Sequence, residues 1–121
     1  MRAVIRGLHS PDIYDLKNYR PSTPDRFGFL LQILIGPENG PGDESFDVFV
    51  CTPRWILEEH SGEDVIVGRH MLIVFKYDYE RLENFLRGKV AEVAGETWMD
   101  LGQRLARIGH WEFEDYAPAR D

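Results

Sequence analysis

Hydrophobic and polar positions alternate along much of the first half of the chain, a pattern typical of β-strands. Residues 2–9 form one such run, and residues 27–35 place apolar side chains on both faces around a single polar residue, Gln32. A strand that is apolar on both faces is usually central, so we expect 27–35 to lie inside a sheet. Residues 45–52 alternate again after a turn rich in Gly and Pro at 36–43, which predicts an antiparallel hairpin.

The second half of the chain contains further strand-like runs. Residues 71–77 (MLIVFKY) predict a third core strand, and residues 65–67 are expected to be extended. Residues 111–116 (WEFEDY) alternate aromatic and acidic side chains, which favours a last strand with Trp111 and Phe113 pointing inward.

Helix signals separate these runs. Ser10-Pro11-Asp12 predicts a short helix over residues 13–19, and Thr52-Pro53 predicts a second helix that ends by Ser61-Gly62. Asp78 is the expected cap of a long helix that closes at Ala94-Gly95. Its apolar stripe consists of Leu82, Phe85, Leu86, Val90 and Val93. A last helix is expected from the Thr97 cap to Gly109, with Trp98, Leu101, Leu105 and Ile108 on its apolar side.

This order of elements predicts the α+β class. We expect one domain over residues 1–121, built as a mainly antiparallel sheet with helices packed on one face. An apolar content of 43% is enough for one hydrophobic core. The chain has no run of 18 apolar residues, its first ten residues lack a signal-peptide core, and Cys51 is its single cysteine. These features favour a cytoplasmic protein without disulfides, membrane spans or a membrane partner.

Candidate chemistry is sparse. The four histidines (His9, His60, His70, His110) and Cys51 follow no metal-ligand spacing, and Cys51 is expected to be a buried apolar residue within the sheet. The Gly-rich turn has no phosphate-loop pattern, and the carboxylate pairs lie at positions where nothing would raise a pKa for acid–base work. The sequence therefore predicts no catalytic residues, no metal site and no cofactor.

Charge is the strongest functional signal. The net charge is −7, and residues 38–64 alone carry eight carboxylates against one cationic side chain, Arg54. Nucleic acid is an improbable partner, because phosphate binding needs clustered Lys and Arg. A protein interface on this acidic surface is the functional interpretation, and simple solubility is the alternative. The candidate interface residues are Glu38, Asp43, Glu44, Glu58, Glu59, Glu63 and Asp64, followed in the tail by Glu112, Glu114 and Asp115.

The tryptophans and Tyr116 can likewise be interpreted either as core residues or as residues of a binding surface. Trp55 and Trp98 lie at helical positions that favour the core over a ligand platform. Trp111 and Tyr116 stand among carboxylates, so they are either core residues or anchors of an interface.

The segment from Phe27 to Trp55 resembles the Immunity protein 8 family of bacterial polymorphic toxin systems. The similarity rests on a strand that ends in Ile35-Gly36-Pro37, an acidic Gly-rich loop, Ser45-Phe46-Asp47, and above all the run Cys51-Thr52-Pro53-Arg54-Trp55. Residues 68–74 (GRHMLIV) and Tyr77-Asp78 are similar to the family's next strand and helix start. One departure is Ile56-Leu57, where the family pattern has Leu directly after the Trp.

The resemblance implies a protein that binds and neutralises one cognate toxin domain and has no activity of its own. It also implies a toxin that could be a nuclease with a basic cleft, which an acidic inhibitor would suit. A small enzyme or a small-molecule binder of unknown substrate is the alternative. The toxin's identity and the oligomeric state are left open at this point.

Overall fold

The computed structural model of the protein describes residues 1–114. A five-stranded, mostly antiparallel sheet and three helices form one α+β domain, which confirms the predicted fold class. The strands are β1 (Ala3–His9), β2 (Gly28–Pro37), β3 (Glu44–Cys51), β4 (Met71–Ile73) and β5 (His110–Trp111). The helices are α1 (Pro53–Glu59), α2 (Tyr79–Ala91) and α3 (Trp98–Leu105).

The hairpin of β2 and β3 is the centre of the sheet, as the alternating pattern predicts. Its register pairs Gly28 with Cys51 at one end and Ile35 with Glu44 at the other. Alternate side chains of both strands point to one face and are almost completely buried there: Phe29, Leu31, Ile33, Ile35, Phe46, Val48 and Val50. This inner face is one side of the hydrophobic core.

The helices α2 and α3 cover the inner face. Asp78 and Thr97 cap their N-termini by accepting hydrogen bonds from the backbone N–H groups of Arg81 and Asp100. The predicted stripe of α2 is buried at Leu82, Leu86 and Val90, and α3 buries Leu101 and Leu105. The exception is Phe85, which is half exposed beside the sheet edge rather than in the core.

The helix α1 lies against the other face of the sheet, so the expectation of helices on a single face holds for α2 and α3 only. Its N-cap is Thr52, as predicted, and Pro53 occupies the first turn. The Trp55 ring packs on Phe49 at 4.8 Å between centroids, and on the bare backbone of Gly28. A Cβ at position 28 would lie 2.6 Å from this indole, so glycine is required there. Trp55 is half-buried rather than a core residue.

Two predicted strands are much shorter in the structure. The predicted run 71–77 pairs only at Met71–Ile73, parallel to β3, and it is an edge strand rather than a core strand. The predicted run 111–116 pairs only at His110–Trp111, and its part from Asp115 onward lies outside the described residues. Both strands use the edge of β3 that β2 leaves free. They therefore lie end to end along it.

Two other expectations are wrong. Residues 13–19 form turns instead of a helix, because Asp15 bonds the backbone and side-chain amides of Asn18 and Leu16 enters the core. The last helix ends at Leu105, and Gly109 instead allows the backbone to approach Phe46, whose carbonyl carbon would lie 3.0 Å from an added Cβ. Residues 65–67, which are expected to be extended, pair with no strand of the described chain.

No helix within residues 1–114 has the length and apolar content needed to cross a bilayer.

Candidate protein-binding surface

The acidic stretch 38–64 forms two separate clusters in the structure. Glu38, Asp43 and Glu44 lie at the turn of the β2–β3 hairpin, which we call the hairpin-end cluster. The carboxylates of Glu58, Glu59, Glu63 and Asp64 lie on α1 and the loop after it, beyond the opposite end of β3, and form the α1-end cluster. The seven-residue step from Glu44 to Cys51 separates the two ends by roughly 23 Å.

The hairpin turn is held in a fixed shape by Arg6 from β1. Its guanidinium donates hydrogen bonds to the carbonyl oxygens of Pro37 at 2.6 Å and Gly40 at 2.7 Å. The loop folds back so closely that a Cβ on Gly36 would lie 2.0 Å from the carbonyl oxygen of Gly42. Glu38 and Asp43 are exposed on this turn, and neither side chain has a hydrogen bond or ion pair within residues 1–114.

Glu44 serves the core rather than the surface. Its carboxylate accepts a hydrogen bond from the indole N–H of Trp98 on α3 and a second, at 3.2 Å, from the indole N–H of Trp111 on β5. Trp111 is completely buried against Phe46, so its polar N–H needs an internal acceptor. The open question about Trp111 is therefore settled in favour of the core, while Tyr116 lies outside the described residues.

Glu58 and Glu59, the carboxylates of the α1-end cluster that lie on the helix, form ion pairs with arginines of the same chain. Arg26 donates to both Glu58 and Glu59, and Arg54 bridges Glu58 at 3.0 Å and Asp25 at 3.0 Å. Hydrogen bonds from Arg54 and Arg26 lower the pKa of Glu58, and hydrogen bonding to Glu58 first of all raises the pKa of each arginine. The ion pairs of these two glutamates therefore hold α1 against the segment before β2.

Glu63 and Asp64, the carboxylates of the same cluster that lie on the loop, have fewer contacts within the chain. Glu63 contacts His60 at 3.1 Å, and Asp64 has no ion pair or side-chain hydrogen bond in the described chain. Both residues are exposed. Taken together, the α1 end carries five carboxylates, with Asp25 included, against Arg26 and Arg54, which leaves a local net charge of −3.

The tail carboxylates have different surroundings. Glu112 is exposed, whereas the Glu114 side chain is 11% exposed and receives contacts from Arg69, His70 and His110. Burial opposes the ionisation of Glu114, but hydrogen bonds from Arg69 and His110 and the nearby charges outweigh it and lower its pKa. Asp115 lies outside the described residues.

Sequence spacing did not reveal that His70, His110 and Glu114 converge. Their ligand atoms lie within 4.8 Å of one another at the junction of β4 and β5, close enough to hold a metal ion. However, Nε2 of His70 lies 2.8 Å from the carbonyl oxygen of Ala106, and Arg69 already binds Glu114. A metal would have to displace both contacts. We therefore interpret the cluster as a set of structural contacts that hold β4 and β5 on the same edge of β3.

The structure contains few groups arranged for catalysis. Cys51 is buried as expected, and burial raises the pKa of its thiol, so the thiol stays protonated at neutral pH. A groove of about 440 Å³ runs between β4 and the start of α2, with mostly apolar walls and with Lys76, Asp78 and Arg81 among its polar residues. The described residues that line this groove include no Ser, Thr, Cys or His.

Sequence reasoning also missed two exposed apolar areas. Leu57, Val65 and Val67 protrude near the α1-end cluster, and Phe75 and Phe85 protrude beside β4. The expectation that residues 65–67 are extended says nothing about whether their valines face the core or the solvent.

Comparison with known proteins gives one clear relationship. No curated protein and no solved structure matches the chain significantly. The sequence profile of the Immunity protein 8 family matches residues 3–116, which includes every strand and helix described above. The chain therefore belongs to the Immunity protein 8 family and is an immunity protein.

Proposed function

We propose that this immunity protein binds the toxin domain of its own system and neutralises it by covering the toxin's functional surface. The observation that carries this proposal is the family match over residues 3–116. Neutralisation by binding needs no catalytic groups in the inhibitor. It requires a preformed surface that is complementary to the toxin, and the protein would act in the cytoplasm of the cell that makes the toxin.

The surface charge favours a cationic partner. The chain carries a net charge of −7, and the α1 end keeps a local charge of −3 after its internal ion pairs are counted. A toxin with a basic cleft, such as a nuclease, would be steered to this surface and would associate rapidly at low salt. The α1-end cluster is the first candidate interface, the hairpin-end cluster the second, and the tail carboxylates from Glu112 onward the third.

Charge reversal tests the acidic surface with least disturbance of the fold when the chosen carboxylates are exposed and bond no arginine or tryptophan. Glu63→Lys/Asp64→Lys changes the α1 end, and Glu38→Lys/Asp43→Lys changes the hairpin end. Glu44, Glu58 and Glu59 are unsuitable, because each one is bonded inside the protein. We expect Glu63→Lys/Asp64→Lys to slow toxin association at least about tenfold at low salt, with a smaller effect at high salt.

The control is Glu80→Lys/Glu92→Lys, in the first turn of α2 and at its C-cap, which changes the net charge by the same amount at exposed positions outside both clusters. Association rates would be measured by stopped flow with the C-terminal domain of the protein encoded next to this gene. Equal slowing by all three variants would indicate only a general charge effect. An unchanged rate in both cluster variants would contradict an acidic interface.

A further inference from the structure

The loop after α1 exposes apolar side chains to an unusual degree. Val65 and Val67 are each 84% exposed, and Leu57 on the adjoining turn of α1 is 73% exposed. Single exposed apolar residues are ordinary on protein surfaces, but a group of them indicates a binding surface. We call these three residues the apolar patch.

The apolar patch borders a shallow depression. A pocket of about 320 Å³ lies between α1 and the loop, lined by Ile56, Leu57, His60, Val65 and Ile66 together with Ser61 and the two loop carboxylates. A protruding side chain of a partner could enter this depression while its neighbours contact the valines. Interfaces commonly combine an apolar centre of this kind with a polar rim.

The start of the loop, residues 60–63, is held in place before any partner arrives. The backbone N–H of His60 bonds the carbonyl oxygen of Ile56 at 3.0 Å, and the N–H of Glu63 bonds the carbonyl oxygen of His60 at 2.9 Å. The His60 ring contacts Glu63 at 3.1 Å and packs edge-on against Trp55. A surface that is already ordered loses less conformational entropy on binding.

The rim of the apolar patch is acidic. Glu63 and Asp64 both line the depression. The other exposed apolar area, at Phe75 and Phe85, has a mixed rim, because Lys76 and Arg81 line that groove together with Asp78, which lies 3.7 Å from Arg81. The Lys89 ammonium lies 5.6 Å from the Phe85 ring centre and 3.8 Å from the Glu92 carboxylate. A cationic partner would therefore be attracted more strongly to the first area than to the second.

We infer that the cognate toxin docks on the apolar patch, with a cationic surface against Glu63 and Asp64 and an apolar side chain in the depression beside Leu57. This inference rests on the proposed function and narrows it to one surface. It predicts that the acidic rim increases the association rate of the toxin and that the apolar centre slows the dissociation of the complex.

The test compares two double substitutions that remove exposed apolar side chains. Leu57→Ser/Val65→Ser acts on the apolar patch, and Phe75→Ser/Phe85→Ser is the matched control beside β4. Val65→Ser/Val67→Ser repeats the first change without touching a helix. Affinity for the adjacent-gene toxin domain and the dissociation rate would be measured by surface plasmon resonance, and thermal unfolding would verify the fold of each variant.

We expect both patch variants to lose at least about tenfold in affinity, mainly through faster dissociation, while the control stays within about threefold of the wild type. If the wild type binds and the patch variants bind equally well, the inference is overturned and the proposed function stands. The same holds if only the control variant is weakened. If the wild type neither binds nor neutralises the toxin domain, the proposed function and the inference fail together.

Discussion

Glu44 ties three distant parts of the chain together. It begins β3, and its carboxylate holds one tryptophan at the start of α3 and another in β5. Among the acidic candidate residues it is the one whose role in the fold is most direct. A buried indole N–H that loses its acceptor costs about 1–3 kcal/mol, and a hydrogen bond to a charged group contributes about 1.5–3 kcal/mol.

We therefore expect Glu44→Ala to reduce the free energy of unfolding by about 2 kcal/mol or more. Glu44→Gln should fall between this variant and the wild type, since it keeps one carbonyl oxygen for one of the two indoles. Asp43→Ala is the control, because this neighbouring side chain is exposed and unpaired, and its effect should stay within about 0.5 kcal/mol. Urea unfolding followed by tryptophan fluorescence measures all three. A Glu44→Ala variant as stable as Asp43→Ala would contradict the structural role.

The position of Glu44 also shows why site residues could not be sorted from the sequence. Glu44 stands beside Asp43 in one acidic run, and nothing local distinguishes the two. The difference comes from α3 and β5, whose tryptophans lie 54 and 67 residues further along the chain. The same applies to Glu114, which meets His70 across 44 residues of sequence.

At the level of elements, two helical glycines have opposite surroundings. Gly102 on α3 faces the Trp111 ring, and an added Cβ would lie 2.4 Å from that ring. Gly88 on α2 has no neighbouring atom within 4 Å of the corresponding position. Glycine in an exposed helix costs about 0.8–1.0 kcal/mol relative to alanine, so propensity alone would favour alanine at both sites.

We expect Gly88→Ala to stabilise the protein by about 0.5–1 kcal/mol and Gly102→Ala to destabilise it by about 1–3 kcal/mol. The second effect arises because a fully buried tryptophan would have to move away from Phe46. Thermal unfolding of the two single variants tests the packing of α3 on β5. Stabilisation by both substitutions would mean that Trp111 does not pack on α3 as described.

Elements with strong local signals were predicted best. The β2–β3 hairpin, the Thr52, Asp78 and Thr97 caps and the stripe of α2 all follow from short-range pattern and turn chemistry. The short lengths of β4 and β5 do not follow from short-range pattern, because both strands share one free edge of β3 and each occupies only part of it. The sequence of a long apolar run such as 71–77 does not show how many residues of the neighbouring strand are available to pair with it.

For the molecule as a whole, folding redistributes the acidic sequence. The run 38–64 appears as one block in the sequence, but the hairpin places its two halves at opposite ends of the sheet. Internal partners then bind Glu44, Glu58 and Glu59, so the carboxylates left for a partner are fewer, and those at the α1 end lie beside exposed apolar side chains. Composition predicted the sign of the charge, and only the fold shows which carboxylates are free.

We propose that this immunity protein acts by stoichiometric binding and not by turnover. The most direct measurement is a titration of the activity of the adjacent-gene toxin domain with increasing amounts of the protein. We predict a linear loss of activity that ends at a fixed molar ratio, with both proteins recovered intact as a complex on gel filtration. Complete inhibition by a small fraction of a molar equivalent, or a toxin that is chemically altered and released, would contradict the account.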